Sequence, residues 1–201
     1  MISGHGISES QQEVLKTKTF EFFDLPLKEK QKWGPIDSAK QRGYQRIETR
    51  NLASTIGEIA PPDLRESIFI GPIDDHRKYY AETPWAHNAY AQNIIPTDPE
   101  GIKEAFIEAY RIFEELASSI MRIMALALDL PEAYFCPLIS KHFSVLGIHH
   151  YPVITEPPKP NQLRAGAHTD FGAITILSIP GSESGLELSL IHISEPTRRT
   201  I

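Results

Sequence analysis

The chain has 201 residues, 41% hydrophobic and 23% charged, which suits one folded domain with its own core and argues against a disordered chain. A net charge of −6 with scattered Lys and Arg argues against a nucleic-acid partner or an anionic membrane surface. A single cysteine, Cys136, rules out an internal disulfide and a cysteine-rich zinc site, and fits a reducing compartment.

The start, Met-Ile-Ser-Gly-His-Gly, has neither the basic nor the apolar region of a signal peptide. The longest apolar stretches, such as residues 124–128, are far too short to span a bilayer, so the expected location is cytoplasmic with no membrane partner. A first helix is expected from Ser8 or Ser10, each followed three residues later by Gln or Glu in a capping-box pattern. Leu15, Phe22 and Phe23 line one face of it, and Pro26 closes it. Residues 41–71 read as irregular, with a strand at 67–70. The clearest element is a long helix after Asp98, with Asp98 as N-cap and Pro99 at its first position. Ile102, Phe106, Phe113, Leu116, Ile120, Ile123 and Ala127 recur at helical spacing up to Pro131, as a scaffold helix backing a sheet would require.

After Ser140 the period changes from helical to alternating. Phe143, Val145, Gly147, His149 and Tyr151 fall on one face of a strand, and Leu146, Ile148 and His150 on the other. Residues 173–179 form a second β-rich run. The fold class is therefore α+β, a helical N-terminal part followed by the first strands of an antiparallel structure.

The chemistry concentrates in Ala167-His168-Thr169-Asp170-Phe171-Gly172. In an extended chain positions two apart share a side, so His168 and Asp170 converge on one point. An imidazole and a carboxylate there are two thirds of the 2-His-1-carboxylate triad that suits Fe(II), because it leaves coordination positions open. His-x-Asp alone is also a common surface pair.

The wider sequence context is more specific. The run from His168 to Leu177, ending in Gly185-Leu186-Glu187, resembles the iron-binding strand of the isopenicillin N synthase-like, non-haem Fe(II), 2-oxoglutarate-dependent dioxygenases. Further resemblances occur in family order: Gly4-His5-Gly6-Ile7, Phe22-Phe23-Asp24-Leu25-Pro26 with Lys30, Arg42-Gly43-Tyr44, Asp63-Leu64-Arg65-Glu66-Ser67, Asn93-Ile94-Ile95-Pro96, Leu130-Pro131-Glu132 and His150-Tyr151-Pro152. The resemblance implies a double-stranded β-helix, or jelly roll, flanked by helices. It implies Fe(II) held by His168, Asp170 and a distal histidine. It also implies 2-oxoglutarate as cosubstrate, O2 as oxidant, and oxidation of a small organic molecule with release of succinate and CO2. His149 and Tyr151 match positions that approach the cosubstrate, although many relatives have asparagine where His149 stands.

Relatives continue past Gly-Leu into strands carrying the distal histidine and an arginine-x-serine pair that grips 2-oxoglutarate. Here the chain reads Leu188-Ser189-Leu190-Ile191-His192-Ile193-Ser194 and soon ends. The expected organisation is a helical dioxygenase region at 1–140, the start of an incomplete jelly roll at 141–187, and a non-native tail at 188–201 that resembles a translated sequencing adaptor. With two ligands only, the chain is expected to be catalytically dead and poorly folded, exposing strand edges. Two alternatives stay open: a non-enzymatic binding or interaction protein, and a zinc or manganese protein that completes its site with His192. His142 and His150 are further ligand candidates, with His150 expected to be packed or at the surface.

Overall fold

The computed structural model describes residues 2–35, 41–83, 86 and 90–179. In chain order these hold α1 (Glu9–Phe23), α2 (Leu27–Gln31), β1 (Gly43–Gln45), a 3-10 turn (Ala53–Ile56), β2 (Glu66–Ile70), α3 (Ile102–Ala127), α4 (Cys136–Ile139) and β3 (Leu146–His150). No helix among the described residues is long and apolar enough to cross a membrane.

Helix α1 starts where its capping box places it. Ser8 Oγ accepts from the Gln11 amide, and Gln11 Oε1 accepts in return from the Ser8 amide at 3.0 Å. Its C-terminal Phe22 and Phe23 are buried. Helix α3 does not begin at Asp98, as the sequence suggested. Residues 99–101 form a turn in which Gly101 takes φ 79, and this left-handed glycine is the N-cap. Nor does α3 run to Pro131. Asp129 turns left-handed at φ 56, its amide bonds to the Leu126 carbonyl, and the Leu130 amide bonds to the Ala125 carbonyl. That pair of bonds is a Schellman closure, and it ends the helix before the proline. At 26 residues the helix is about 39 Å long.

The three strands form one antiparallel sheet in the order β1-β2-β3, with Ser67 opposite His149 and Ile68 opposite Ile148. Strand β1 was not anticipated. Its first residue, Gly43, has φ 71 and sits where a Cβ would overlap the Trp33 carbonyl, which accepts the Tyr44 amide at 2.8 Å. The core joins Phe22 and Phe23 of α1, Tyr44 of β1, Ile68 and Ile70 of β2, and Ile102, Phe106 and Tyr110 of α3, with Leu146 and Ile148 of β3 packed against it. Of the predicted helix face only Ile102 and Phe106 are fully buried. Ala105, Ala109, Tyr110, Met121 and Ala125 are buried too, while Ile123 is 65% exposed, because α1 and the sheet cover the first half of α3 better than the second.

Residues 173–179 form no strand, contrary to the expectation from their β-rich composition. A strand exists only through its ladder, and among the described residues nothing is paired with this run. Gly185-Leu186-Glu187, His192 and the expected tail at 188–201 lie outside the described residues.

A buried polar knot locks the helices to the sheet. Lys30 Nζ donates to Glu66 Oε2 at 2.8 Å and to the Phe23 carbonyl at 2.7 Å, and Tyr44 donates its hydroxyl to Glu66 Oε2 at 2.6 Å. His150 Nδ1 lies 2.9 Å from Glu66 Oε1, with its ring stacked on Phe23. Burial pushes the Glu66 carboxyl up, but its bonds to Lys30, Tyr44 and His150 outweigh that, and the group titrates below its usual range.

Candidate active site

The segment carrying His168 and Asp170 is held by the loop before β2. The Gly166 amide donates to Asp63 Oδ1 at 3.0 Å, and the Leu52 amide donates to Asp63 Oδ2 at 3.1 Å. The Leu64 amide donates to the Leu163 carbonyl, and Gln162 Nε2 reaches Glu48 and the Pro62 carbonyl. Asp63 is buried, so its two bonds are shielded from water. A Cβ on Gly166 would stand 3.0 Å from Ala53, so the close approach of the two segments favours glycine here.

Two residues beyond this anchor, His168 and Asp170 converge as the sequence predicts: Nε2 lies 3.2 Å from Asp170 Oδ1. His168 Nδ1 lies 2.8 Å from the Gly166 carbonyl, which can only accept, so Nδ1 carries the proton. In its neutral form this tautomer presents the Nε2 lone pair beside a carboxylate oxygen. Two donors on adjacent positions of a metal at about 2.1 Å stand roughly 3 Å apart, so this spacing fits two ligands of one ion. A carbonyl behind Nδ1 is the kind of partner that fixes the ring orientation of a ligating histidine. With side chains 31% and 52% exposed, the pair is open to an incoming ion.

His149 stands opposite Ser67 across the β2–β3 ladder, with Nδ1 2.8 Å from Ser67 Oγ and its ring edge-on to Phe69 at 5.6 Å. Burial pushes its pKa down to about 4, helped by the charge of Arg65 and by His168 when that ring is protonated, and opposed by Asp170. It is thus neutral at neutral pH and shares the neighbourhood of the His168–Asp170 pair. Tyr151, just past the end of β3, is 43% exposed, and no described contact ties it to that pair. His142 bonds to Glu114 at 2.9 Å and His150 to Glu66, so both are engaged elsewhere. Among the described residues no group of three His, Cys, Asp or Glu side chains is placed to hold a metal. A depression of about 250 Å³ lined by residues including Gln31, Tyr44, Gln45 and Arg50 contains none of the four candidate residues.

Sequence reasoning gave no role to Ser67, Asp63 or Gly166. Their only signal was their place in the Asp63–Ser67 resemblance and beside His168.

Residues 1–98 match the family described as non-haem dioxygenase in morphine synthesis, N-terminal. A 2-oxoglutarate-Fe(II) type oxidoreductase of Aspergillus fumigatus is 32% identical over 98% of this chain and 56% of its own length. The chain is similar to 2-oxoglutarate–Fe(II) dioxygenases. The proline hydroxylase buaE of Petromyces alliaceus is likewise 32% identical, over 93% of this chain and 56% of its own. Among solved structures, a full-length Neurospora crassa protein in complex with alpha-KG has a TM-score of 0.63 at 25% identity, covering 83% of this chain and 50% of that one. The chain spans about half the length of the curated relatives it matches.

Proposed function

We propose that this chain is part of an oxygenase that uses Fe(II), 2-oxoglutarate and O2 to oxidise a small organic molecule, with His168 and Asp170 as two of the iron ligands. The observation that carries it is the His168–Asp170 pair, with Nδ1 turned to the Gly166 carbonyl and Nε2 facing the Asp170 carboxylate. The names of the relatives support the cofactor and the class of substrate: a 2-oxoglutarate-Fe(II) type oxidoreductase, a proline hydroxylase, and the Neurospora crassa protein, also solved with alpha-KG and thymine. Iron with 2-oxoglutarate supplies the oxidising chemistry, coupled to succinate and CO2 release.

The chain's own residues orient and poise the site. Gly166 fixes the His168 tautomer, Asp63 holds Gly166, and Asp170 supplies the negative charge. His149 and Tyr151 are assigned to the cosubstrate side; for His149 the support is its neutrality and its nearness to His168 and Asp170. The domain division at residues 140/141, with β3 as the opening of a jelly roll, belongs to the same reading. The third protein ligand comes from outside the described residues. With only two ligands among the described residues, the 201-residue chain alone is proposed to bind metal weakly and to be inactive.

Co(II) titration of the 201-residue chain, followed by its absorption bands, tests the ligands. His168→Ala and Asp170→Ala are each expected to weaken binding by about tenfold or more, and His192→Ala to leave it unchanged. Unchanged affinity in His168→Ala, or loss in His192→Ala, overturns the assignment. Succinate release from 2-oxoglutarate above that of His168→Ala would sink only the statement that this chain is inactive.

A further inference from the structure

Side chains of β2 alternate, so Ser67 and Phe69, with Arg65 just ahead of them, oppose the Glu66–Ile68–Ile70 core face. This is the face of His149, which touches both Ser67 and Phe69. Arg50 reaches the same face, with its guanidinium 5.3 Å from the centre of the Phe69 ring and its Nε donating to the Gln45 side chain.

Both arginines keep donors unused. Arg65 has a side chain only 8% exposed and a buried Nε without a hydrogen-bond partner, and Arg50 Nη2 is buried and unpartnered as well. Burial, and then the neighbouring Arg65 charge, hold the Arg50 guanidinium below its ordinary value. Among the described residues the acid in ion-pair range of Arg65 is Asp63, whose Oδ2 lies 4.0 Å from Arg65 Nε, but both Asp63 oxygens already accept backbone amides, from Leu52 and Gly166. A guanidinium does not shed its proton in a protein, so two like charges with buried, empty donors and one occupied carboxylate make a site short of one anion. A planar carboxylate fits the guanidinium fork better than a spherical ion does.

We propose that Arg50 and Arg65 form a carboxylate anchor for the primary substrate, on the His149 face of the sheet. The substrate class is then small molecules with a free carboxylate. The role as a substrate anchor rests on the oxygenase reading; the anion site itself does not.

The test is a titration of the metal-free 201-residue chain with acetate at fixed ionic strength, read from the arginine Nε–H resonances in 1H–15N NMR. Saturable shifts of the Arg65 resonance are expected. Binding should weaken by about tenfold or more in Arg50→Gln and Arg65→Gln and stay unchanged in the exposed control Arg122→Gln. Arg65→Lys keeps the charge should the Gln variant fail to fold, and is expected to bind several-fold more weakly than the wild type because a lysine lacks the fork. No saturable shift, or wild-type affinity in Arg65→Gln or Arg65→Lys, overturns the proposal. 2-Oxoglutarate is the second arm. If it binds the pair about tenfold more tightly than acetate, the anchor serves the cosubstrate and the substrate assignment falls. Absence of acetate binding to the wild type, while His168→Ala still weakens Co(II) binding, overturns this inference and leaves the proposed reaction standing.

Discussion

Asp63 and Gly166, 103 residues apart in sequence, meet in one buried 3.0 Å hydrogen bond that ties the loop before β2 to the segment bearing His168 and Asp170. Asp63→Ala removes the acceptor for two amides, Leu52 and Gly166, and the nearest acid to Arg65. Leaving those donors buried and unpaired is expected to lower stability by roughly 2–4 kcal/mol. Asp63→Asn keeps one carbonyl acceptor and is expected to lose less. Urea unfolding midpoints rank the variants, and a midpoint for Asp63→Ala equal to wild type would sink the account. Co(II) affinity should fall in parallel, since the anchor sets where His168 stands.

Local signals were legible in the sequence, and long-range ones were not. The Ser8–Gln11 capping box is complete within four residues, and it stands where it was read. The convergence of His168 and Asp170 follows from strand period alone. Asp98, by contrast, has every attribute of an N-cap, yet the turn at Gly101 displaces the helix start. Residues 173–179 have the composition of a strand, but a ladder needs a partner, which composition does not supply. Asp63 and Ser67 take their roles from Gly166 and His149, 103 and 82 residues away, where no local pattern reaches.

The Lys30–Glu66 pair is buried, with side chains 9% and 7% exposed. Lys30→Met strands the Glu66 carboxylate with only Tyr44 and His150 as donors, and is expected to cost roughly 3–5 kcal/mol. Because Glu66 titrates below its usual range in the fold, its contribution is present above the ordinary carboxylate pKa and is lost as pH falls through the folded value. Thermal melts at neutral pH and near pH 3 should therefore differ less for Lys30→Met than for the wild type. Equal pH sensitivity in both would contradict this.

Gly43 combines a left-handed φ of 71 with a Cβ position that overlaps the Trp33 carbonyl and crowds Ile94. Backbone is less able to yield than a side-chain tip, so Gly43→Ala faces both a conformational penalty and a displaced β1. The expected loss is about 3 kcal/mol or more. Gly57 has a similar φ of 80 with open space around its Cβ, so Gly57→Ala is expected to cost only about 1 kcal/mol. Chemical denaturation of the two variants side by side separates the terms. Equal losses would show that contact with Trp33 contributes nothing.

His149 gives the protein an acid-sensitive term at mildly acidic pH. In the unfolded chain its imidazole takes a proton as pH falls below about 6.5; in the fold, burial beside Arg65 and His168 delays this to about 4. Above pH 6.5 both states are neutral and the term is absent. Between pH 6.5 and 4 the unfolded state binds the extra proton, so stability falls with falling pH, by roughly 3 kcal/mol at most. Other groups titrate over the same range, so the decisive quantity is the difference between the wild type and His149→Asn. Asparagine retains a hydrogen-bonding group toward Ser67 and carries no titration. That difference in unfolding free energy, taken from denaturant midpoints at pH 7, 6, 5 and 4.5, should shift steadily in favour of His149→Asn as the pH drops. If it stays constant across the series, His149 is protonated as readily in the fold as out of it, and the neutral, buried imidazole assigned to the cosubstrate side is wrong.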